Sequence, residues 1–267
     1  MSSFVDATTP DADGVLMLDA AWLQGRGVYG GIPAGAMVRA MQQAVGDPAR
    51  PIRSFTVHFC EPARVGPARV RAELVRAGGR VSHARAEVTC DGVVVAFSSA
   101  SFCAARPVAL AWDEVAAPEA TNPDEMPSMP VAERGGPRFT RLFNYRSGGG
   151  DVVWSGATEA RARTWIRPPQ PAVVDAALVV GLLDAGPPAL AVRDTGPRPV
   201  ASVDFRVQFL RAFPLDSVDA EAWGRRHWLS DARARTVAEG YAEELTHLFA
   251  PDGRAVATCQ QLIALLR

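Results

Sequence analysis

The chain contains no lysine. All 28 of its lysine-or-arginine positions are arginine, against 29 acids, for a net charge of −1. Arginine keeps its charge in almost any environment, and its planar fork suits phosphate. A ligand with several phosphates would therefore find partners here, although most of these arginines read as solvated surface. Abundant Ala, Gly, Pro and Val alongside the missing lysine fits GC-rich coding, and hence a bacterial source. The charge balance offers nucleic acid no evident footprint. Long apolar runs are also lacking: none reaches the roughly 18–20 residues that span a bilayer. Met1 to Pro10 has neither a basic n-region nor an apolar h-region, so no secretory signal is read and a cytoplasmic location is expected. Cysteine is scarce. Cys60, Cys90, Cys103 and Cys259 form no CxxC pair and lie near no histidine at ligand spacing. Buried free thiols are expected, with no metal and no cofactor. A Gly-x-Ser-x-Gly elbow is missing too, which removes the usual serine-hydrolase logic. What remains, 267 residues with 48% apolar and 21% charged, suits a globular chain of one large domain or two ordinary ones.

The chain repeats itself. Ser54-Phe55-Thr56-Val57-His58-Phe59 matches Asp204-Phe205-Arg206-Val207-Gln208-Phe209 at Phe, Val and Phe, and both alternate as strands do. Downstream of each lies an Asp-Gly pair between strand-like runs, Asp91-Gly92 and Asp252-Gly253, a hairpin signal. Upstream of each lies a helical run. The first is Ile32 to Val45 after Gly30-Gly31. The second is Val173 to Asp184, after Pro168-Pro169-Gln170-Pro171 and before Gly186-Pro187-Pro188. Strands are expected at about 52–60, 69–77, 81–90 and 93–102, and again at about 200–210, 217–228, 236–249 and 254–265. Residues 104–150 are rich in Pro, Gly and acids without sustained periodicity, and read as a long connector over the sheet surface. The expected layout is α+β: residues 1–105 and 151–267 each form a helix wrapped by a curved antiparallel sheet, residues 106–150 join them, and the two units pack as a pseudo-dimer.

Three stretches resemble the double-hotdog acyl-CoA thioesterases of the type II class and the bacterial thioesterase-like proteins near them. Val28-Tyr29-Gly30-Gly31-Ile32-Pro33-Ala34-Gly35 is similar to the family's Gly-Gly approach to the first hotdog helix. Ser54 to Pro62 is similar to its Ser-Phe strand ending in Pro. Val200 to Asp204 and Val256 to Gln261 are similar to strands of the second hotdog. The resemblance implies two tandem hotdog folds, an acyl-CoA ligand and a catalytic trio of Asp, Thr or Ser, and Gln. By motif the trio falls on Asp184, Ser202 and Gln261, with Gln260 adjacent as a competing assignment. Serine stands where the family's best-known members carry threonine, which keeps the hydroxyl.

The chemistry asks for an activated water, a polarised carbonyl and an apolar slot. A carboxylate can take a proton from water, while Gln261 and Ser202 can hold that water in line. Gly30 and Gly31, at a helix N-terminus, are the expected substrate-binding backbone, letting a carbonyl approach free N–H groups. The expected reaction is hydrolysis of an acyl-CoA to free acid and CoA. Two alternatives stand beside it. A hotdog hydratase or dehydratase would need a catalytic His on a hotdog helix, and neither helical run contains one. A non-catalytic acyl-CoA binding protein would have a degenerate site. Neither nucleic acid nor a membrane is an expected partner, and a homo-oligomer of such subunits is compatible with the layout.

Overall fold

The computed structural model describes residues 3–168, 172–213 and 222–266. The first half runs α1 (Phe4–Thr8), β1 (Val15–Leu18), two short strands β2 (Leu23–Gln24) and β3 (Gly27–Val28), α2 (Gly31–Val45), then β4 (Ile52–Phe59), β5 (Gly66–Ala77), β6 (Val81–Cys90) and β7 (Val93–Cys103). The second half has β8 (Ser128–Met129), β9 (Asn144–Ser147), β10 (Arg161–Arg167), α3 (Ala176–Ala185), β11 (Val200–Phe209), β12 (Trp228–Ala238), β13 (Tyr241–Phe249) and β14 (Ala255–Leu265).

Both helices form where the sequence predicts them, for local reasons. Helix α2 ends at Gly46, whose φ of 63° is the left-handed cap that glycine adopts without strain. Helix α3 is apolar on every face but for Asp184 near its end, which suits only a buried helix. It begins three residues later than the run starting at Val173, because Asp175 caps it by accepting the Leu178 N–H at 2.8 Å. Arg39 of α2 pairs with that cap at 2.7 Å and also donates to Thr8 Oγ1 at 3.0 Å, tying α1, α2 and the start of α3 together.

Twelve of the strands make one antiparallel sheet in the order β1-β5-β6-β7-β4-β11-β14-β13-β12-β10-β9-β8. At its centre β4 pairs with β11, from Asp204 opposite His58 to Gln208 opposite Ser54. Outward from this seam the order repeats: β4-β7-β6-β5-β1 on one side, β11-β14-β13-β12-β10 on the other. The irregularities repeat too. Register shifts at Ile52/Ser54, Leu74/Arg76 and Val88/Thr89 have counterparts at Ser202/Asp204, Ala234/Thr236 and Leu248/Phe249. Two helices packed against a long antiparallel sheet, one to each half, are the two-hotdog α+β fold.

Several expectations change in detail. Of the strand expected at 217–228, residues 217–221 lie outside the described residues and only Trp228 is in a strand. The run 236–249 is two strands with a turn at Glu239-Gly240, whose φ values of 54° and 83° make a primed hairpin turn without the usual Asn or Asp. Strand β10 was not anticipated, although Ala162, Thr164 and Ile166 alternate inward with arginines and Trp165 outward. The connector does not simply lie over the surface. Its later part adds β8 and β9 to the sheet edge and buries Phe139, Phe143 and Tyr145 against Trp22 and Tyr29. Among the cysteines, Cys90 and Cys259 are buried, but Cys60 is exposed at the end of β4 and Cys103 is partly so.

The seam between the halves is apolar. Phe205 lies with its ring centroid 6.1 Å from Phe55 and 5.5 Å from Phe59. Phe205→Ala should therefore destabilise the chain by about 3–5 kcal/mol. Urea unfolding followed by tryptophan fluorescence measures this, and a loss under 1 kcal/mol would mean the seam is not part of the common core.

Candidate active site

Asp184 is the one polar residue in α3 and sits a residue before its end. Its Oδ2 is buried and has no hydrogen-bond partner. The N-terminus of α2 comes up against it. A Cβ on Gly30 would stand 3.0 Å from Asp184 Oδ2 and 2.7 Å from the Phe59 ring, so only glycine permits this approach. Burial pushes the Asp184 carboxyl up from 3.8 to about 6, and the Gly31 backbone N–H offsets part of that rise. The positive end of α2 acts in the same direction as Gly31. Tyr29 lies close by, stacked between Trp22 and Phe139 at centroid distances of 5.7 and 4.2 Å. Burial first, then the Asp184 charge, holds its phenol well above the usual range, so it stays neutral. Tyr145 Oη donates to the Ala185 carbonyl at 3.0 Å and pins the helix end that carries the carboxylate.

Ser202 reaches the site through a bulge. Phe205, Val207 and Phe209 of β11 face the core, and strict alternation would turn Ser202 to the other face. The register shift between Ser202 and Asp204 reverses that parity, placing Ser202 opposite the buried Ile263. Gln261 stands opposite Phe205, on the same inward face, and its Nε2 donates to Ser202 Oγ at 2.5 Å. Gln260 is exposed on the outer face. Asp184, Ser202 and Gln261 thus line one cavity of about 40 Å³, with room for one or a few waters. Gln24, from the first half, lines it as well.

Gly30 and Gly31 are not among the residues lining the cavity. They stand behind Asp184, between the carboxylate and the rings of Phe59 and Tyr29, and Gly31 turns its N–H to that carboxylate. Gly25, Gly27 and Gly30 have the spacing of a dinucleotide loop ahead of a helix. That motif needs a parallel βαβ unit, and here it makes the β2–β3 hairpin of an antiparallel fold.

The cavity also holds residues that sequence reasoning missed: Ser230 of β12 and Glu244 and Thr246 of β13. Glu244 is 4% exposed. One signal was available. Glu243 and Glu244 are adjacent on a strand, and successive side chains point to opposite faces, so one of the two acids must face inward.

The repeat supplies an internal comparison. Matching the register shifts of the two halves sets Ser202 against Ile52, Ser230 against Val70, Glu244 against Ala84, Thr246 against Ala86 and Gln261 against Ala100. All five first-half residues are buried and apolar. The fold therefore accepts apolar side chains at each of these places, and the polar set in the second half is not a requirement of packing.

Among the described residues no group of His, Cys, Asp and Glu is arranged to hold a metal ion, and no helix is long and apolar enough to cross a membrane. Comparison with known proteins agrees with the fold. The chain is similar over its full length to a hot dog fold protein of unknown function from Alicyclobacillus acidocaldarius, with 26% identity, a TM-score of 0.86 and 99% of that chain covered. It shares the fold of a putative thioesterase II from Thermobifida fusca, at 17% identity and a TM-score of 0.80, covering 100% of this chain and 98% of that one. It shares it also with an acyl-CoA thioesterase II from Mycobacterium marinum, at 20% identity and a TM-score of 0.71, covering 99% and 98%. No curated protein sequence matches. Residues 18–103 match the model of the acyl-CoA thioesterase N-terminal domain and residues 123–265 that of the acyl-CoA thioesterase C-terminal domain, so the chain belongs to the acyl-CoA thioesterase family.

Proposed function

We propose that the chain hydrolyses acyl-CoA thioesters to the free acid and CoA, using a water held by Asp184, Ser202 and Gln261. The observation that carries this reading is the meeting of these three side chains in one small cavity, with a carboxylate oxygen buried and unpartnered at its wall. Above about pH 6 Asp184 is ionised and can take a proton from water. Ser202 Oγ accepts from Gln261 and so keeps its own hydrogen to donate. The water oxygen adds to the thioester carbon, one of its protons passes to Asp184, and collapse of the tetrahedral intermediate breaks the C–S bond, its electrons leaving on sulfur and the proton passing from the carboxyl to the departing thiolate. No nucleophile from the protein is needed. Gly30 and Gly31 act through Asp184, since the N–H groups and the positive helix end favour the ionised carboxylate. Gln24 and Gly31 come from the first half, so neither half alone would be competent.

A thiol-release assay across acyl-CoAs of increasing chain length tests the reaction. Asp184→Asn should lower kcat by roughly 100-fold or more, and a variant turning over at the parent rate would remove Asp184 from the chemistry. Ser202→Ala and Gln261→Ala should each cost about 10- to 100-fold, while Gln260→Ala stays within a few-fold of the parent.

Asp184→Asn also has a stability signature of the opposite sign. A carboxyl whose pKa is raised by folding binds its proton more tightly in the native state. Native stability therefore falls as pH rises from about 4 to about 6. Asparagine removes that loss. The variant should gain up to about 3 kcal/mol over the parent at pH 7 and no such gain near pH 3.5, as read by thermal melting at both pH values. Equal melting differences at both would show that the Asp184 carboxyl is not desolvated.

A further inference from the structure

The cavity holds a second carboxyl group, that of Glu244, which the water-holding trio leaves unused. It lies directly across the strand pair from Gln261. Its Oε2 accepts the backbone N–H of Ala189 at 2.5 Å, just past the Gly186-Pro187-Pro188 turn that leaves the Asp184 helix. Among the described residues no arginine or histidine lines the cavity. The charged groups that bear on Glu244 are Asp184 of α3 and its own neighbour Glu243, both negative, and the Cys259 thiol of β14 also lies within range. The remaining neighbours are uncharged: Thr246 beside it, Ala234 across β12 and the Ala189 amide. Burial lifts the Glu244 carboxyl to about 7, with the Glu243 charge and then the Asp184 charge adding to it and the Ala189 N–H opposing it. Two carboxyl groups enclosed together with no cation cannot both ionise at low cost. The corresponding position of the first half is Ala84, so this fold does not need an acid there.

Resting on the thioesterase reading of the cavity, we propose that Glu244 is a second acid of the reaction centre, sharing one proton with Asp184 so that the site works with one carboxyl ionised and the other protonated. The proton released as water adds to the thioester carbon joins this pair. When the C–S bond breaks, its electrons leave on sulfur, and the thiolate takes a proton from the pair. The pair returns to a single proton at each turnover, and the second hydrogen of the water stays on the carboxylic acid product. Paired carboxyl groups with separated ionisations divide acid and base work in this way.

Glu244→Gln keeps the size of the side chain and an oxygen for the Ala189 N–H, but cannot ionise. In the full-length protein the parent kcat/KM should fall on both the acid and the alkaline side. In Glu244→Gln the alkaline limb should vanish, while the acid limb, set by the ionisation of Asp184 beside a neutral partner, should stay near its parent position or move slightly to higher pH. Its kcat should drop by roughly 10- to 100-fold with KM little changed. A variant with the parent kcat and pH profile, altered only in melting temperature, would reduce Glu244 to a staple for the turn and overturn the proposal.

Carboxyl 13C NMR of the resting protein gives a readout independent of turnover. Asp184 should titrate in two steps in the parent and in one step, at or just above the pH of the parent's first, in Glu244→Gln. A single-step Asp184 titration in the parent overturns the proposal even if the variant fails to fold. Two-step titration without thiol release from any acyl-CoA would leave the shared proton standing and sink the thioesterase reading instead.

Discussion

A carboxylate at the end of a helix with no other polar side chain must be taken out of water, and the arrangement around the cavity follows from that cost. Desolvation disfavours the charge on Asp184. What favours it comes from the other half of the chain, where the Gly31 N–H and the positive end of α2 approach through a gap that only Gly30 leaves open. The segment bearing the carboxylate is held on either side of the turn, by Tyr145 at Ala185 and by Glu244 at Ala189. Asp184 is thus fixed and poorly solvated, with its carboxyl raised to about 6. Such sites are held at some expense of stability.

Duplication makes this affordable in structural terms. The two halves repeat strand order and even bulge positions across the β4–β11 seam, so the backbone that turns Ser202 inward also turns Ile52 inward. Ile52, Val70, Ala84, Ala86 and Ala100 make that region of the first half a plain core. The second half replaces the same five places with hydroxyl, carboxyl and amide groups. One half is then free to stabilise the pair while the other carries polar groups that burial penalises. The halves are not independent, because α2 of the first supplies the electrostatic support for the acid of the second.

The connector joins in. Phe139, Phe143 and Tyr145 close an aromatic cluster with Trp22 and Tyr29, beyond the glycines that stand behind Asp184. This dry wall excludes water from one side of the carboxylate. The opposite side faces the cavity, where the hydroxyl of Ser202 and the amide of Gln261 are already bonded to each other.

The sequence by itself determined the elements whose cause is local. The Phe-x-Val-x-Phe repeat, the Asp91-Gly92 turn, the apolar run of α3 and the glycine before α2 each reflect short-range sterics or one-dimensional periodicity, and they sufficed for a duplicated α+β fold. Motif likeness also singled out Asp184, Ser202 and Gln261. Only the tertiary structure decided which way those side chains face. The bulge at Val203 changes strand parity, which a run of residues does not display, and it brings Ser202 to Gln261 while Gln260 faces out. Pairing across β13 and β14 decided that Glu244, not Glu243, is the buried acid. The place of Gly30 and Gly31, behind Asp184 and not in the cavity lining, depended on how α2 meets α3. Periodicity is a property of one strand or helix, whereas burial and charge environment are set by what the neighbouring elements bring to the same point in space.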